Sequence, residues 1–294
     1  ENREVHKFLR AIGFSDITKK DLEMILDEVI TRPEIMKITK DSEGNEFAEL
    51  SGSFAANAGI TVRGTYQEDD SFHMDYYYPY VFGTSITTNE QIDVEKHAEK
   101  ESYAGVCDEV NLGVTLIFYI QNVADYLAET NRHLSKIHYG AMLAGLSTEG
   151  KILCPVVERK KNDVPAIQKN DRHNQLIAQA REGDEDAIES LTLEDMDTYA
   201  LLSQRVMKED IFSIVKSTFM PFGIESDQYT VLGEIIDCVT MENKLTHEKL
   251  YGMKLLCNNI QFDVCINEKD LLGEPAIGRR FRGNVWMQGN LCLE

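Results

Sequence analysis

Three arginines and one tryptophan form the most chemically suggestive group in this chain of 294 residues. Arg279, Arg280 and Arg282 come shortly before Trp286, the only tryptophan. Alternation along a strand would place Arg280, Arg282 and Trp286 on its outward side. Guanidinium groups beside an aromatic ring can bind a phosphate, a carboxylate or a stacked base. The alternative is that the arginines pair with acidic helices while Trp286 packs between domains.

A tyrosine-rich strand is a second candidate surface. From Phe72 to Tyr80 the sequence places Tyr76, Tyr77 and Tyr78 in a row, so that phenol groups project from both faces of a strand. Such an edge can form a recognition surface. The alternative is ordinary packing within the sheet, with the hydroxyl groups reaching solvent.

Histidines and carboxylates form the third candidate group. On a helix, Asp93, His97 and Glu101 would share one face at i, i+4 and i+8, and this donor set can hold a divalent ion. His6 and His138 are further candidate ligands, on corresponding strands of a metal-centred cup like that of vicinal oxygen chelate enzymes. The competing interpretation is a solvated, charged helix, and the prediction retained is that the chain binds no metal.

Catalytic signatures are absent from the sequence. It contains no Gly-x-Ser-x-Gly, no glycine-rich phosphate loop and no Cys–His spacing that supports nucleophilic catalysis. Glu194, Asp195 and Asp197 are paired carboxylates, but helix capping accounts for them. The sequence therefore leaves open whether the protein is an enzyme, and it predicts no cofactor.

The arginines and the tryptophan lie in a small β unit predicted for residues 226–294. Ile260, Phe262 and Val264 alternate with polar residues, and Asn258-Asn259 is typical of a tight turn with positive φ. A long first strand, a hairpin, a helical break and a last strand predict a small antiparallel barrel of OB type. An SH3-like barrel would give much the same pattern.

Residues 1–160 predict an α+β domain with a mainly antiparallel sheet and helices. Thr18 is expected to cap a helix that ends at Pro33. The order strand, helix, strands occurs twice, so duplicated βαββ modules are a further prediction. In the second cycle, strands near 137–146 and 151–157 are expected to join through a turn at Glu149-Gly150.

The segment between these parts, residues 161–225, is predicted to be an acidic helical bridge. Acidic residues cluster at its expected helix starts, where they complement the helix dipole. A last helix is expected from Lys208 to Phe219, and Pro221 and Gly223 would end it.

Composition restricts the classes of partner and the location. The net charge of −20 disfavours bulk nucleic-acid binding, because the chain repels phosphate backbones. Six cysteines without a Cys-x-x-Cys pair indicate thiols in a reducing compartment rather than a zinc site. No apolar run approaches the ~20 residues of a membrane span, and the chain opens with mixed charges. We expect a cytoplasmic protein without a membrane segment.

Several stretches together resemble an uncharacterised bacterial family known only as a domain of unknown function. They cover nearly the whole chain: HKFLRAIGF, ESYAGVCDEVNLGVTLIFY, LTLEDMDTY, QYTVLGEI and FDVCINEKDLLGEPAIGRRF. The resemblance implies a bacterial, cytosolic protein and supplies no activity, substrate or catalytic residue.

The sequence favours a soluble binding or interaction protein whose partner is another protein or a small anionic ligand. That partner would meet Arg280, Arg282 and Trp286 or a groove between domains. Two alternatives stay open: a small-molecule enzyme with a metal in the N-terminal domain, and a self-associating structural protein that forms a homodimer through exposed sheet edges.

Overall fold

The computed structural model describes residues 5–97, 101–132, 138–156, 179, 184, 186–190, 192, 215–224 and 226–293. The chain forms two compact units, one of Glu1–Leu153 with Ser217–Glu294 and one of Cys154–Lys216. In the second unit, residues 186–190 are helical. The predicted bridge, 161–225, therefore lies mostly outside the described residues.

The first unit is an α+β structure made mainly of strands. Its helices are two short 3-10 helices, Lys7–Ile12 and Glu268–Asp270, and two α-helices, α1 (Lys19–Thr31) and α2 (Val123–Asn131). The described strands are β1 (Ile35–Lys40), β2 (Glu46–Ala55), β3 (Ala58–Tyr66), β4 (Phe72–Val81), β5 (Thr88–Lys96), β6 (Tyr103–Glu109), β7 (Val114–Ile120), β8 (His138–Leu153), β9 (Thr218–Pro221), β10 (Gln228–Glu242), β11 (Lys249–Cys257), β12 (Ile260–Asn267), β13 (Leu271–Leu272) and β14 (Arg280–Leu291).

Helix α1 follows the local signals in the sequence. The Thr18 hydroxyl accepts a hydrogen bond from Asp21 N at 3.2 Å, which satisfies one of the unpaired amides of the first turn. Leu22, Leu26 and Val29 recur at helical spacing and are all buried. The predicted capped helix is confirmed.

The smaller sheet is antiparallel, with the order β1-β2-β3-β4. Adjacent side chains of β2 point to opposite faces. Leu50 belongs to the core cluster that contains Leu22 and Leu26 of α1. On the other face, Glu49 Oε2 accepts from Ala124 N at the start of α2 at 3.0 Å. The two α-helices thus cover opposite faces of this sheet.

The larger sheet contains a closed ring of pairings. Strand β10 pairs with β11, β11 with β12, β12 with β8, β8 with β14, and β14 again with β10. All these pairs are antiparallel except β12–β8, which is parallel. The ring thus joins β8 from the first half of the chain to four strands that follow residue 226.

Strand β8 corrects the predicted turn at Glu149-Gly150, because it runs without interruption from His138 to Leu153. A Cβ at position 150 would lie 2.4 Å from a ring carbon of Phe281, which is fully buried. Gly150 therefore admits the close packing of this ring against the strand, and it does not form a turn.

Two helix predictions are also corrected. Asp93 lies in strand β5, so that Asp93, His97 and Glu101 do not share a helix face. The predicted helix from Lys208 lies outside the described residues up to position 214, and its predicted end is corrected, because Phe219 lies in strand β9, which pairs with β10. In both places, pairing with strands distant in sequence prevails over a local helical pattern.

Two buried clusters make up the core of the first unit. One contains residues of the ring strands, such as Phe262, Phe281 and Met287, together with residues of β7 and α2. The other joins α1 and the smaller sheet to the larger sheet through Leu146 and Trp286. Strands from 1–160 and from 226–294 therefore contribute to the same buried clusters, and the division into domains at 1–160, 161–225 and 226–294 stays a prediction.

Candidate functional site

A groove between α1 and the β10–β11 loop is the candidate functional site. The loop is fixed by Asn243, whose Nδ2 donates to Ile12 O at 2.7 Å and whose Oδ1 accepts from Leu245 N and Thr246 N. Thr246 Oγ1 donates to Gly13 O at 2.6 Å. The bonds to Ile12 O and Gly13 O join segments more than 200 residues apart in the chain, and the other two fix the loop itself.

Gly13 allows this close approach. Its φ of +94° is in the left-handed region, and a Cβ there would lie 2.6 Å from Asn243 Cβ. Any larger residue would be strained and would also push the loop away from α1. Gly13, where the sequence predicts a break, is thus the point where the segment before α1 contacts the β10–β11 loop.

The groove has a volume of about 510 Å³. Within the described part of the chain, its lining consists of five apolar residues, four acidic residues and one threonine: Phe14, Ile17, Met24, Ile25, Leu245, Asp16, Asp21, Glu28, Glu248 and Thr246. Met24 is 56% exposed and Leu245 is 51% exposed, so both present apolar surface to solvent. We call this feature the α1 groove.

The rim of the α1 groove is negatively charged. Glu248 is held by Asn267 Nδ2 at 2.6 Å, by Lys269 Nζ at 2.7 Å and by the Ser15 hydroxyl. Burial alone would raise the pKa of Glu248, but these donors outweigh it and lower the pKa below its usual value. Lys269 offsets part of this charge, while Asp21 and Glu28 on α1 keep the rim acidic.

The sequence contains a signal for the α1 groove that the predicted sites omit, namely apolar residues at exposed positions. Met24 falls outside the buried stripe of Leu22, Leu26 and Val29, yet it is large and apolar. Leu245 similarly lies in a loop that reads as polar. Each residue alone is unremarkable, and only the folded chain brings them to one groove.

The second notable feature is a fully buried arginine, Arg63, on β3. Its Nε donates to Glu49 at 2.7 Å, and its terminal nitrogens reach the hydroxyls of Tyr76 and Tyr119, each at 2.9 Å, and of Tyr78 at 3.2 Å. Two backbone carbonyls, those of residues 120 and 121, complete the set. We call this arrangement the Arg63 cage.

Electrostatics keep the Arg63 cage charged. Burial opposes the guanidinium charge, but the three tyrosines and Glu49 outweigh it, so the pKa of Arg63 is raised well above its usual value. Burial raises the pKa of the Tyr78 and Tyr119 phenols, which stay protonated and accept from Arg63. Because these contacts satisfy all three guanidinium nitrogens, the cage is a structural feature of the fold rather than a ligand site.

The arginine–tryptophan group is not one exposed surface. Trp286 is 7% exposed, donates from Nε1 to Asp227 at 2.8 Å and stacks on Phe8 at 5.3 Å. Arg280 is buried, and Arg279 is exposed with its Nη1 donating to Glu274 O at 2.6 Å.

Distance along β14 also separates Arg280 from Trp286. Arg280 and Trp286 are six positions apart on one strand, which corresponds to about 20 Å. The outward placement of Arg280 and Trp286 is corrected, because both side chains are buried. The rings of Phe8 and Tyr119 pack against Trp286. Arg282 is half-buried, and ligand binding by any of these residues stays a prediction.

The three candidate metal ligands are separate. His6 lies before the first 3-10 helix rather than on a strand, and its Nδ1 accepts from Phe8 N at 3.3 Å. His97 is exposed, and His138 Nδ1 lies 3.7 Å from Glu129 Oε2. The described residues contain no cluster of three or more His, Cys, Asp or Glu side chains that could hold a metal ion.

The buried cysteines are not activated as nucleophiles. Burial raises the pKa of Cys107, Cys257 and Cys265 to about 12 each. At neutral pH these thiols are protonated and therefore poor nucleophiles.

Comparisons with known proteins agree with the resemblance noted in the sequence. A family model described as "Domain of unknown function, E. rectale Gene description" matches residues 9–289. No curated protein and no solved structure matches the chain significantly. Among the helices described, none is both long and apolar enough to cross a membrane.

Proposed function

This chain belongs to the DUF3881 family, whose function is unknown, and we propose from its geometry that it is an interaction protein. It binds an amphipathic, basic segment of a partner protein in the α1 groove. The observation that carries this proposal is the lining of the groove, in which five apolar side chains lie beside four carboxylates. Apolar side chains of the partner would contact the apolar part of this lining, and its lysines or arginines would face the carboxylates.

The dimensions and the side chains of the groove support this class of partner. A volume of about 510 Å³ accommodates several side chains. Exposed methionine is common on surfaces that accept varied apolar side chains, because its thioether chain is flexible and polarizable. Burying Met24 and Leu245 against a partner would remove their apolar surface from water.

The charge of the chain supports a basic partner in particular. The acidic rim adds to a net charge of −20, which attracts cations from a distance and raises the association rate at low salt. A basic segment would also neutralise Asp21 and Glu28, which lie on the same helix. An acidic segment would be repelled.

A synthetic peptide tests this proposal with the full chain. A fluorescent peptide of leucine and lysine at helical spacing is titrated by anisotropy, next to a peptide of the same composition in alternating order. We expect Met24→Ser to weaken binding of the helical peptide about tenfold and Glu28→Gln to reduce its salt dependence.

The matched control is Met220→Ser, because Met220 is 54% exposed on β9, outside the groove. Equal affinity of wild type and Met24→Ser for the helical peptide would refute the groove as the site. Equal affinity of the two peptides would refute recognition of an amphipathic helix.

We also propose that the five-strand ring is a barrel of OB type. In its support, the ring closes through one parallel pair, β12–β8, and a short 3-10 helix precedes the last strand. Duplication of a βαββ module stays a prediction. A bacterial source and a cytoplasmic location are also proposals. The location is supported by the six cysteines, all of which are free thiols.

A further inference from the structure

The outer edge of β1 is the second candidate surface in the described part of the chain. Strand β1 is the end strand of the smaller sheet, and among the described strands it pairs only with β2. Its register with β2 is regular over six residue pairs, without a bulge. Its sequence contains no proline. These features are typical of an edge that accepts another strand.

The backbone of β1 presents hydrogen-bonding groups to this edge. Asp41 N donates to Asn45 O at 3.0 Å in the β1–β2 turn, so odd-numbered residues of β1 direct their N–H and C=O groups toward β2. The even-numbered residues Met36, Ile38 and Lys40 direct theirs outward. In agreement, Asn131 Nδ2 donates to Lys40 O at 2.8 Å.

The same even-numbered residues expose apolar side chains on one face. Met36 is 53% exposed and Ile38 is 50% exposed, between Glu34 and Lys40, which are also exposed. The opposite face is different, because Lys37 forms an ion pair with Asp125 of α2. The outward face of β1 thus has an acidic start, an apolar centre and a basic end.

We propose that β1 pairs with β1 of a second copy of this chain, antiparallel and about a twofold axis at Lys37. In this register Glu34 lies opposite the second copy's Lys40, and Met36 lies opposite the second copy's Ile38. Each pair occurs twice. The outward backbone groups of Met36 and Ile38 meet across the axis. Glu34 and Lys40 meet through their side chains, because Glu34 N donates to Ser51 O and Lys40 O accepts from Asn131 within the same copy. Two four-stranded sheets thereby join into one continuous sheet.

Charge complementarity selects both the occupant and the register. The nearest registers that keep the same face differ by a shift of two residues. They place Lys40 opposite Met36 or Glu34 opposite Ile38, and both remove the opposite-charge pairs. The chosen register also brings the two copies of Lys37 together at the axis. Because each Lys37 contacts its own Asp125, this repulsion is offset.

Charge reversal tests the proposal on the full chain by sedimentation equilibrium over a range of concentrations. Glu34→Lys and Lys40→Glu each replace two attractive pairs by two repulsive ones, so we expect each to raise the dimer dissociation constant about tenfold. The double variant restores opposite charges in swapped positions and returns the constant to near the wild-type value. Ile38→Pro removes an outward N–H and abolishes the dimer.

The control is Lys249→Gln, because Lys249 pairs with Glu268 at 2.7 Å and lies on β11 of the larger sheet, outside the proposed interface. It leaves the dissociation constant unchanged. A wild-type chain that stays monomeric at every concentration overturns the proposal. A dimer that is equally tight in the wild type, in both single reversals and in Ile38→Pro also overturns it, since another surface then holds the copies together.

Discussion

His6 should make the stability of the protein fall between pH 7 and pH 5. Its ring lies 5.1 Å from the ring of Trp286, which belongs to the buried cluster around α1. Burial first, and then the charge of Lys7, lower the pKa of His6 from 6.5 to about 4. The histidine is therefore neutral in the folded protein at pH 5, whereas it is protonated in the unfolded chain.

The size of the effect follows from this difference. A pKa unit corresponds to about 1.4 kcal/mol, so the difference between 6.5 and about 4 is worth about 3 kcal/mol when complete. The unfolded chain binds the extra proton, so stability is full above pH 6.5 and decreases as the pH falls toward 4. Between pH 7 and pH 5 we expect His6 to account for about 2 kcal/mol of lost unfolding free energy.

The assay is urea unfolding of wild type and His6→Asn at both pH values. Asparagine can still accept from Phe8 N, as the histidine does now, but it does not titrate. We expect the variant to lose about 2 kcal/mol less than wild type between pH 7 and pH 5. His97→Asn is the matched control, since His97 is exposed. Identical pH dependence of wild type and His6→Asn would refute the reasoning.

Three further substitutions test a buried ion pair, the packing against β8 and the cap of α1. Arg63→Met leaves Glu49 buried without its cation, so we expect a loss of about 3–5 kcal/mol in urea unfolding, and adding Glu49→Gln should recover part of it. Gly150→Ala should cost about 1–3 kcal/mol by the same measurement, because the new methyl group meets the Phe281 ring; a neutral result would mean that the ring can move. Thr18→Ala should lower the thermal midpoint by removing about 1 kcal/mol of capping, and an unchanged midpoint would contradict that role.

Local signals predicted the elements whose partners are close in the chain. The cap at Thr18, the buried stripe on α1 and the turn at Asn258-Asn259, with φ of 46° and 67°, all appear in the structure. Each depends on backbone geometry or periodicity within a few residues. The α+β class followed from the same patterns.

The candidate sites were predicted less well, because burial depends on distant parts of the chain. Alternation placed Trp286 on the outward side of β14, but the first 3-10 helix and Tyr119 pack against it. The tyrosine-rich strand directs Tyr76 and Tyr78 to Arg63. The residues next to Arg63 in the sequence do not predict that its charge is buried.

The sequence alone therefore determined the class of fold, the family and the acidic character of the protein, because these depend on periodicity, motifs and composition. The tertiary structure decided which side chains meet. It placed the loop after Asn243 opposite α1 to make the α1 groove, and among the described strands it paired β1 with β2 alone. Contacts of this kind join residues that are far apart in the chain, and a pattern within one segment contains no information about the segment that will cover it.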